Sequence, residues 1–471
     1  MKLCALFAMG VLSAIGAPVP ITVDTVNPHY LRFRGRTGPL ITSGEHYGAV
    51  LNAAFDYVAY LDALRENGFN LTRVFNGAYV ETLDSTLFPG GDQNTLAPRP
   101  GKYISPWTGK DFSKWNEDYF TRLKAFVTEA GKRNIAVEVT LFSVQYGNGL
   151  NGWGSWNINP LNLGTVPWDR FNTLENPALV AAQDLLVRKT VTEINGFDNV
   201  YYEVCNEPYF SGATARQTRE WINHVIGTIT STELKLPLKH LIADNIANGY
   251  ASIATPNTAV SILNFHYASP PSALPLNWNL KKPIAFDETS NGCVSPDRRG
   301  EAWAFLMSGG AVYNNLDPSF TTDDATGTKT QPNCAGVRYE LRNLATFMSG
   351  LDLQQMQPNR DGLRQWPLFA AQAYLLEDTG KVYAMYLKGG KGTRVSTLLL
   401  EVPAGKYQTS WFNPRTGDVD QQPAFDHPGG PMKLQTPGYD EDIAVKMLRL
   451  NAPAPAAAPR VARPAASKRG R

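Results

Sequence analysis

Short apolar runs alternate with amphipathic helical segments along most of the chain, and this order constrains the fold more than any other feature. Most of these runs are almost continuously apolar, as expected of parallel strands that are covered on both faces. Eight strand–helix units in succession favour a closed barrel over an open sheet. The predicted strands are Leu40–Ser43, Leu71–Phe75, Ala136–Phe142, Val200–Cys205, Leu241–Asn245, Ser261–Tyr267, Ile284–Asp287 and Ala311–Leu316.

Helical periodicity fills most of the intervals between these strands. The segments after the fifth and sixth strands are short and rich in proline, so we expect two helices of the outer ring to be reduced. The predicted helices are Phe55–Asn67, Trp115–Arg133, Pro177–Asn195, Arg216–Glu233, Arg298–Gly309 and Val337–Leu351.

The pattern changes near residue 365, where short runs of period-two alternation begin, separated by Gly, Pro and Asp turns. We therefore predict a fold of the α/β class, with a (β/α)8 TIM barrel over residues 18–365 and a small C-terminal antiparallel β-sandwich domain over residues 366–450. The predicted sandwich strands are Trp366–Leu376, Val382–Leu387, Val395–Val402, Tyr407–Asn413 and Ile443–Leu448.

Both ends of the chain are predicted to lie outside these domains. Residues 1–17 combine Lys2, an apolar core and the small residues Ala14 and Gly16, which is typical of a secretory signal peptide, with a buried strand as the alternative. Residues 451–471 are rich in Ala, Pro and basic residues and are predicted to be disordered. These features predict a secreted or periplasmic protein without a membrane-spanning segment.

The composition of the chain argues against several classes of function. The chain has 44 Lys and Arg against 42 Asp and Glu, and its basic residues are scattered, so no nucleic-acid partner is predicted. The six histidines show no metal-binding spacing, and neither a metal nor a cofactor is predicted. Cys293 and Cys334 lie in loop-like contexts and are a candidate disulfide, whereas Cys205 lies within an apolar run and is predicted to be a buried thiol.

Polar side chains cluster where the predicted strands end. Asn206 and Glu207 follow the fourth strand, and Asp287 and Glu288 close the seventh. In an eightfold barrel these ends form the active face, and two carboxylates there can protonate a leaving oxygen and attack or hydrate a sugar carbon. Other polar residues predicted at this face are Glu45, His46, Arg73, Ser143, Asn245, His266, Tyr267, Asn314, Asn315 and Asp317.

These motifs resemble clan A of the retaining glycoside hydrolases, nearest to glycoside hydrolase family 5. The resemblance rests on Asn206-Glu207-Pro208, on Glu203 three residues before it, and on Glu288, and it covers roughly residues 20–350. It implies that Glu207 is the general acid/base and Glu288 the nucleophile. A structural cap is the alternative role for Glu207.

The resemblance also implies that Asn206 holds the sugar 2-hydroxyl and that Arg73 keeps Glu288 ionised. Pairing with a structural carboxylate such as Glu203 is the alternative for Arg73. Because alternate strand residues face opposite sides, only one of Asp287 and Glu288 is expected to point into the mouth. The family pattern favours Glu288, which leaves Asp287 to contact the surrounding helices or a loop.

Three strand ends depart from the pattern of family 5 cellulases. His266-Tyr267 are adjacent where His-x-Tyr is usual, which puts in doubt that Tyr267 touches the nucleophile, and a core histidine is the alternative for His266. Phe142-Ser143 stands in place of a histidine, and Tyr313–Asp317 in place of a tryptophan. Since these changes surround the sugar rather than the carboxylates, they bear on the substrate rather than on the reaction class.

The loop after the third strand carries tryptophans among glycines and asparagines. Tryptophans over a barrel mouth suit stacking on sugar rings, and packing of the loop on itself is the alternative. The predicted substrate-binding residues are therefore Arg73, Asn206, His266, Tyr267, Glu45, His46, Trp153, Trp156 and Asn315.

Together these features predict a cellulase-like O-glycosyl hydrolase that acts on a β-glycan or its oligosaccharides by double displacement with retention. A non-catalytic glycan-binding protein on the same barrel and a transglycosylase are the alternatives. The sandwich is expected to pack on the barrel and stabilise it, with polysaccharide binding as the other reading.

Overall fold

The computed structural model describes residues 18–45, 47–81, 96–146, 156–290, 292–329, 331–366 and 371–450. A small antiparallel sheet precedes the barrel and contains β1 (Thr22–Val23), β2 (Leu31–Phe33) and β3 (Arg36–Gly38). Leu31 and Phe33 pack in one buried cluster with the first inward residues of the barrel strands. The sheet therefore covers the amino-terminal end of the barrel.

Eight parallel strands form the barrel: β4 (Leu40–Gly44), β5 (Leu71–Phe75), β6 (Ala136–Ser143), β7 (Val200–Asn206), β8 (Ile242–Asn248), β9 (Ile262–His266), β10 (Ile284–Glu288) and β11 (Val312–Leu316). Their order in the sheet is β4-β11-β10-β9-β8-β7-β6-β5. At the seam between β4 and β5, the Asn70 backbone N–H donates to the Ile41 carbonyl, and the Ile41 N–H donates to Asn70 Oδ1 at 2.7 Å. The sheet is thus nearly closed, and the predicted fold class is confirmed.

Helices surround this sheet, and Asp56, Asn176 and Thr214 cap three of them by accepting backbone N–H groups. Residues 249–261 after β8 contain no helix, and the helix after β9 has only 5 residues, as the proline-rich segments predict. The helices are α1 (Tyr57–Glu66), α2 (Glu117–Lys132), α3 (Pro177–Ile194), α4 (Ala215–Glu233), α5 (Ala273–Asn277), α6 (Asp297–Met307) and α7 (Pro332–Ser349). Short 3-10 helices span Trp156–Ile158, Trp168–Arg170, Pro208–Phe210 and Trp278–Leu280.

The C-terminal strands form two antiparallel sheets with an apolar core between them. The prediction misses three short strands within residues 419–435, because Gly, Pro and Asp are frequent there. It also joins the separate strands at 364–366 and 372–378 into one. The strands are β12 (Gln357–Pro358), β13 (Arg364–Trp366), β14 (Gln372–Asp378), β15 (Val382–Lys388), β16 (Thr397–Val402), β17 (Gly405–Phe412), β18 (Val419–Gln421), β19 (Phe425–His427), β20 (Gly430–Gln435) and β21 (Asp442–Arg449). The larger sheet has the order β12-β14-β15-β21-β17-β18 with β19 beside β17, and the smaller sheet is β13-β16-β20.

The outer face of the larger sheet packs on the barrel helices. Trp303 of α6 stacks on Tyr386 of β15 with ring centroids 5.1 Å apart. Arg299 of α6 is buried and pairs with Glu441 at 2.7 Å and with Asp442 at 2.8 Å. The sandwich and the barrel therefore share a core, while the boundary at residue 365 stays a prediction.

Two of the cysteines are bonded to each other, and a third is buried in a barrel strand. Cys293, which precedes α6, and Cys334 of α7 form a disulfide bond. Cys205 is a buried free thiol on β7. Among the described helices, none is both long and apolar enough to cross a bilayer.

Candidate active site

Glu207 and Glu288 meet at the carboxyl end of the barrel. Glu207 directly follows the last residue of β7, and Glu288 is the last residue of β10. One oxygen of each carboxyl group and a ring nitrogen of His266 all lie within 4.8 Å of one another. All three side chains are buried. The two strand ends singled out in the sequence therefore share one mouth.

The carboxyl group of Glu207 is held by two tyrosines. Glu207 has a left-handed backbone conformation, with φ of 48°, at the point where β7 gives way to the 3-10 turn that begins at Pro208. The hydroxyl of Tyr146 donates to Glu207 Oε2, and that of Tyr209 lies 3.3 Å from Oε1. Neither tyrosine is among the site residues predicted from the sequence. Their positions just after the third and fourth strands were the available signal.

Glu288 accepts hydrogen bonds from two of the predicted residues. Arg73 Nη1 donates to Glu288 Oε2 at 3.0 Å, and the Tyr267 hydroxyl donates to Oε1 at 2.9 Å. Tyr267 has a φ of 50°, a conformation uncommon for a side chain of this size. The doubt raised by the adjacent His266-Tyr267 pair is therefore resolved, because the backbone turn at Tyr267 brings its hydroxyl to Glu288.

Asp287 also points into the barrel, so the expectation that it contacts helices or a loop is wrong. Asp287 lies on the same face of β10 as Ala285, which packs in the apolar cluster inside the barrel, so regular alternation places it inward. A register shift between Phe286 and Glu288 interrupts this alternation and lets Glu288 reach the mouth as well. Asp287 is fully buried, and its Oδ2 accepts a hydrogen bond from Asn264 Nδ2 at 2.5 Å. Two consecutive carboxylates therefore reach the interior.

Arg73 lies at the centre of these carboxylates. Its Nη2 donates to Glu203 Oε2 at 2.5 Å and to Asn206 Oδ1 at 2.8 Å, and its Nε lies 3.5 Å from Asp287 Oδ2. The guanidinium contacts the structural carboxylate Glu203 and Glu288 at once, so the pairing with Glu203 is present, while the ionisation of Glu288 by Arg73 stays a prediction. Its charge offsets part of the cost of burying several carboxylates.

Asn206 and His266 complete the ring of polar groups around the pair. Asn206 Nδ2 lies 3.1 Å from the Tyr146 hydroxyl and 3.3 Å from Ser143 Oγ. His266 Nδ1 lies 3.2 Å from Glu207 Oε1, and its Nε2 lies 3.3 Å from Asp287 Oδ1. His266 therefore sits among carboxylates rather than in an apolar core.

Burial and neighbouring charges set the protonation of this cluster. Burial raises the pKa of Glu288, and the charges of Glu207 and Asp287 add to this rise, whereas His266 and Arg73 oppose it. Burial also acts to raise the pKa of Glu207, but the hydrogen bond and charge of His266 outweigh it, so that pKa lies below its ordinary value. In the free site the pKa of Glu288 is thus raised and that of Glu207 lowered. A general acid at Glu207 and an ionised nucleophile at Glu288 require the reverse order of the two pKa values.

The carboxyl group of Glu45 is bound by the backbone of its own loop. Its two carboxyl oxygens accept backbone N–H groups from Tyr47, Gly48 and Ala49 at 2.8, 2.9 and 3.1 Å. Burial raises the pKa of Glu45 to about 7. The loop's own amides thus bind the carboxyl group of Glu45, and its contact with a substrate stays a prediction.

Asn315 and Trp156 are likewise occupied by neighbours. Asn315 Nδ2 donates to Ser43 Oγ at 2.9 Å, and its Oδ1 accepts from Thr289. Trp156 is buried, and its Nε1 donates to the Val166 carbonyl at 2.7 Å. Both side chains thus have structural partners, and their contact with a substrate stays a prediction. The predicted residues His46 and Trp153 lie outside the described residues.

Solved structures of other proteins share this fold. No family model matches the chain, and no curated protein matches it either. A solved structure described as a glycoside hydrolase is similar with a TM-score of 0.64 and 12% identity, over 92% of this chain and 98% of that chain. A family 5 glycoside hydrolase from Bacteroides vulgatus is similar with a TM-score of 0.62 and 14% identity, over 91% and 93%. The resemblance to family 5 is confirmed at the level of the fold, sandwich included.

Proposed function

We propose that the protein is a retaining glycoside hydrolase that cleaves β-glycosidic bonds of a β-glycan or its oligosaccharides. The observation that carries this proposal is the approach of Glu207 and Glu288 oxygens to within 4.8 Å. Retaining enzymes hold their carboxyl groups about 5–5.5 Å apart, whereas inverting enzymes leave about 6.5–9.5 Å for a water molecule. The shared fold of solved glycoside hydrolases supports the class of reaction.

The contacts of each carboxyl group support its role. Arg73 and Tyr267 donate to Glu288, which stabilises the anion that attacks the anomeric carbon. In the first step the bond from Glu288 to this carbon forms, the glycosidic bond breaks, and the proton of Glu207 passes to the leaving oxygen. In the second step water attacks, the bond to Glu288 breaks, and a water proton returns to Glu207. Asn206 is proposed to hold the sugar 2-hydroxyl.

The stereochemistry of the first product tests the mechanism. Aryl β-glycosides of glucose, mannose, xylose and galactose, and the matching polysaccharides, would be incubated with the wild type. Product sizes and the anomeric configuration at early times would be followed by chromatography and proton NMR. We expect the β-anomer to form first. An α-anomer first would contradict retention, and binding without any turnover would favour a glycan-binding protein.

Variants of the pair test the individual roles. We expect Glu207→Ala to lose activity and to recover part of it with azide, giving a β-glycosyl azide, whereas Glu288→Gln should stay inactive with azide. Glu301→Gln is a matched control, since Glu301 is also a buried glutamate that pairs with an arginine, Arg298, at 2.7 Å. Loss of activity in this control as well would remove the support for both assignments. Product analysis at high acceptor concentration separates hydrolysis from transglycosylation.

Export is part of the proposal. The disulfide between Cys293 and Cys334 supports a secreted or periplasmic location, because such bonds persist in oxidising compartments. The predicted signal, residues 1–17, lies outside the described residues. Amino-terminal sequencing of the mature protein should begin near residue 18. Recovery of the full-length chain from the cytoplasm alone would contradict export.

A further inference from the structure

His266 has carboxylates at both of its ring nitrogens. Nδ1 lies 3.2 Å from Glu207 Oε1 and 3.5 Å from Glu288 Oε1. On the opposite side, Nε2 lies 3.3 Å from Asp287 Oδ1, and the ring is fully buried. A neutral imidazole with its proton on Nδ1 would accept from Asn245 Nδ2 at Nε2 and would leave Asp287 Oδ1 without a donor in the part of the chain that the structure describes. The imidazolium, with a donor at each nitrogen, fits both sides.

Asp287 lies on the side of His266 that faces away from the catalytic pair. Among the described residues, Asp287 Oδ1 has no hydrogen-bond donor of good geometry. The ring nitrogen Nε2 of His266 lies 3.3 Å from this oxygen and can form an ion pair with it when the ring is protonated. Its other oxygen is held by Asn264 Nδ2, and Arg73 Nε lies 3.5 Å away. Because Asp287 is fully buried beneath the ring, it has no access to a sugar bound in the mouth.

The Asn245 amide is consistent with a charged ring. Its Nδ2 is placed against His266 Nε2, and its Oδ1 lacks a donor among the described residues. The two ends of an amide are assigned from their hydrogen bonds. Turning this amide over would bring Oδ1 to an Nε2–H of the imidazolium, at the cost of the hydrogen bond that Nδ2 donates to Glu203 Oε1 at 3.2 Å.

We propose that Asp287 is a positioning residue that keeps His266 an imidazolium and so sets the pH range over which the pair Glu207 and Glu288 is active. The proposal rests on the proposed glycosidase function and deepens it. The charged or titratable groups around the ring are Glu203, Glu207, Asp287 and Glu288, with Arg73 behind them and Tyr267 edge-on to the ring.

The electrostatic direction agrees with the geometry. Burial lowers the pKa of His266, but the charges of Glu288 and Asp287 outweigh burial and raise it well above its ordinary value. Arg73 and His266 in turn hold the pKa of Asp287 below its usual range against the effect of burial. The imidazolium lowers the pKa of both catalytic carboxyl groups. Removing this cation should therefore move both limbs of a bell-shaped pH profile to higher pH.

The protonation state of His266 can be measured without any substrate. Wild type labelled with ¹⁵N-histidine would be titrated from pH 5 to 8 by NMR, with the signals of His266 assigned by their loss in His266→Gln. We expect both ring nitrogens to stay protonated at pH 7. In Asp287→Asn the pKa of His266 should fall by about 1–3 units. A singly protonated His266 at pH 7 in the wild type would overturn the proposal.

A double-mutant cycle tests whether Asp287 acts through His266. Using an aryl β-glycoside that the wild type hydrolyses, we expect Asp287→Asn to lower kcat by roughly tenfold or more when His266 is present. In the His266→Gln background the same change should lower kcat by less than about threefold. Equal losses in both backgrounds would contradict action through His266. If no glycoside is hydrolysed, the proposed function fails while the NMR titration still decides this inference.

Asp244→Asn provides the matched control for the cycle. Asp244 is a buried aspartate on β8 that pairs with Arg219. We expect this variant to keep the wild-type His266 titration and pH profile. Circular dichroism would show whether each variant folds. A shift of the His266 pKa in Asp244→Asn equal to that in Asp287→Asn would mean that any buried aspartate has this effect, and would overturn the specific role of Asp287.

Discussion

The two ends of the barrel interior differ sharply although the same strands build both. At the amino-terminal end, Leu71 of β5 and Ile262 of β9 belong to an apolar cluster closed by Leu31 and Phe33. Two residues further along each strand, on the same face, Arg73 and Asn264 point into the carboxylate cluster. The apolar end stabilises the barrel by removing surface from water, whereas the polar end carries desolvation costs that only mutual pairing offsets.

Glu138 and Tyr201 lie at the boundary between these two ends. Tyr201 packs in the apolar cluster, and its hydroxyl donates to Glu138 Oε2 at 2.9 Å. Burial raises the pKa of Glu138 well above its ordinary value, and the charges of Asp287 and Glu203 add to the rise. Glu138, whose neutral form is favoured by burial, therefore ends the charged layer. The comparison shows that one strand can contribute an apolar residue to the stability of the barrel and, two positions later on the same face, a polar residue to the catalytic cluster.

The largest effect is expected from Glu288→Gln at the polar end. This change should lower kcat by about 10³-fold or more, because the nucleophile is lost. The free energy of unfolding should change by less than about 1 kcal/mol, since Gln keeps an acceptor for Arg73 and removes a buried charge. Kinetics on an aryl β-glycoside and urea denaturation measure the two quantities. If the variant lost folded protein in proportion to activity, the result would contradict the view that the polar end serves chemistry rather than stability.

Arg73→Leu is expected to affect stability most strongly. It leaves Glu203 and Glu288 without their cation, and breaking such a buried cluster costs about 3–5 kcal/mol of unfolding free energy. Arg219→Leu is the control, because Arg219 pairs with Asp244 but its side chain is 43% exposed. We expect the control to cost less than about 1 kcal/mol. Equal costs in urea denaturation would show that burial of the pair is unimportant.

Ile262→Ala tests the apolar end. Ile262 is fully buried, and its truncation should lower the unfolding free energy by about 2–4 kcal/mol through lost contacts and a cavity. The folded variant should keep the wild-type kcat and pH profile, because no charge of the catalytic cluster changes. Denaturation and a pH profile measure both effects. A shift of either limb of the profile would show that the two ends are coupled.

Tyr267→Phe should produce the smallest change. The variant loses the hydroxyl that donates to Glu288, and a hydrogen bond to a charged group contributes about 1.5–3 kcal/mol, so kcat should fall by roughly tenfold or more. Since this donor favours the Glu288 anion, its loss raises the pKa of Glu288 and moves the acid limb to higher pH. Tyr313→Phe, which removes a similar bond to Glu301, should leave that limb in place.

Much of the fold follows from local patterns in the chain. The eight barrel strands and six of the seven helices found among the described residues lie where apolar runs and helical periodicity predict them, within a few residues at their ends. The meeting of Glu207 and Glu288 also follows, because parallel strand ends share one face of a barrel. The short strands β18 to β20 are missed because turn residues dominate their sequence.

The roles of individual polar side chains depend on backbone details that no periodicity contains. Asp287 follows the inward face of Ala285, and a register shift lets Glu288 reach the mouth as well. A positive φ brings Tyr267 to Glu288. Glu45 and Asn315 sit at strand ends like the others, yet the first binds its own loop and the second binds Ser43. Hydrogen-bond partners are chosen by distance in space rather than by position in the chain.

The sequence by itself thus determined the barrel, the sandwich and the identity of the paired glutamates, because hydrophobic periodicity and strand order are local and additive. Only the tertiary structure decided that His266 stands between Glu207 and Asp287 and that Arg73 joins Glu203 to Glu288. The physical reason is that protonation in a buried cluster depends on ångström separations between charges from different strands. Those separations are set by bulges and turns, which short-range sequence patterns do not encode.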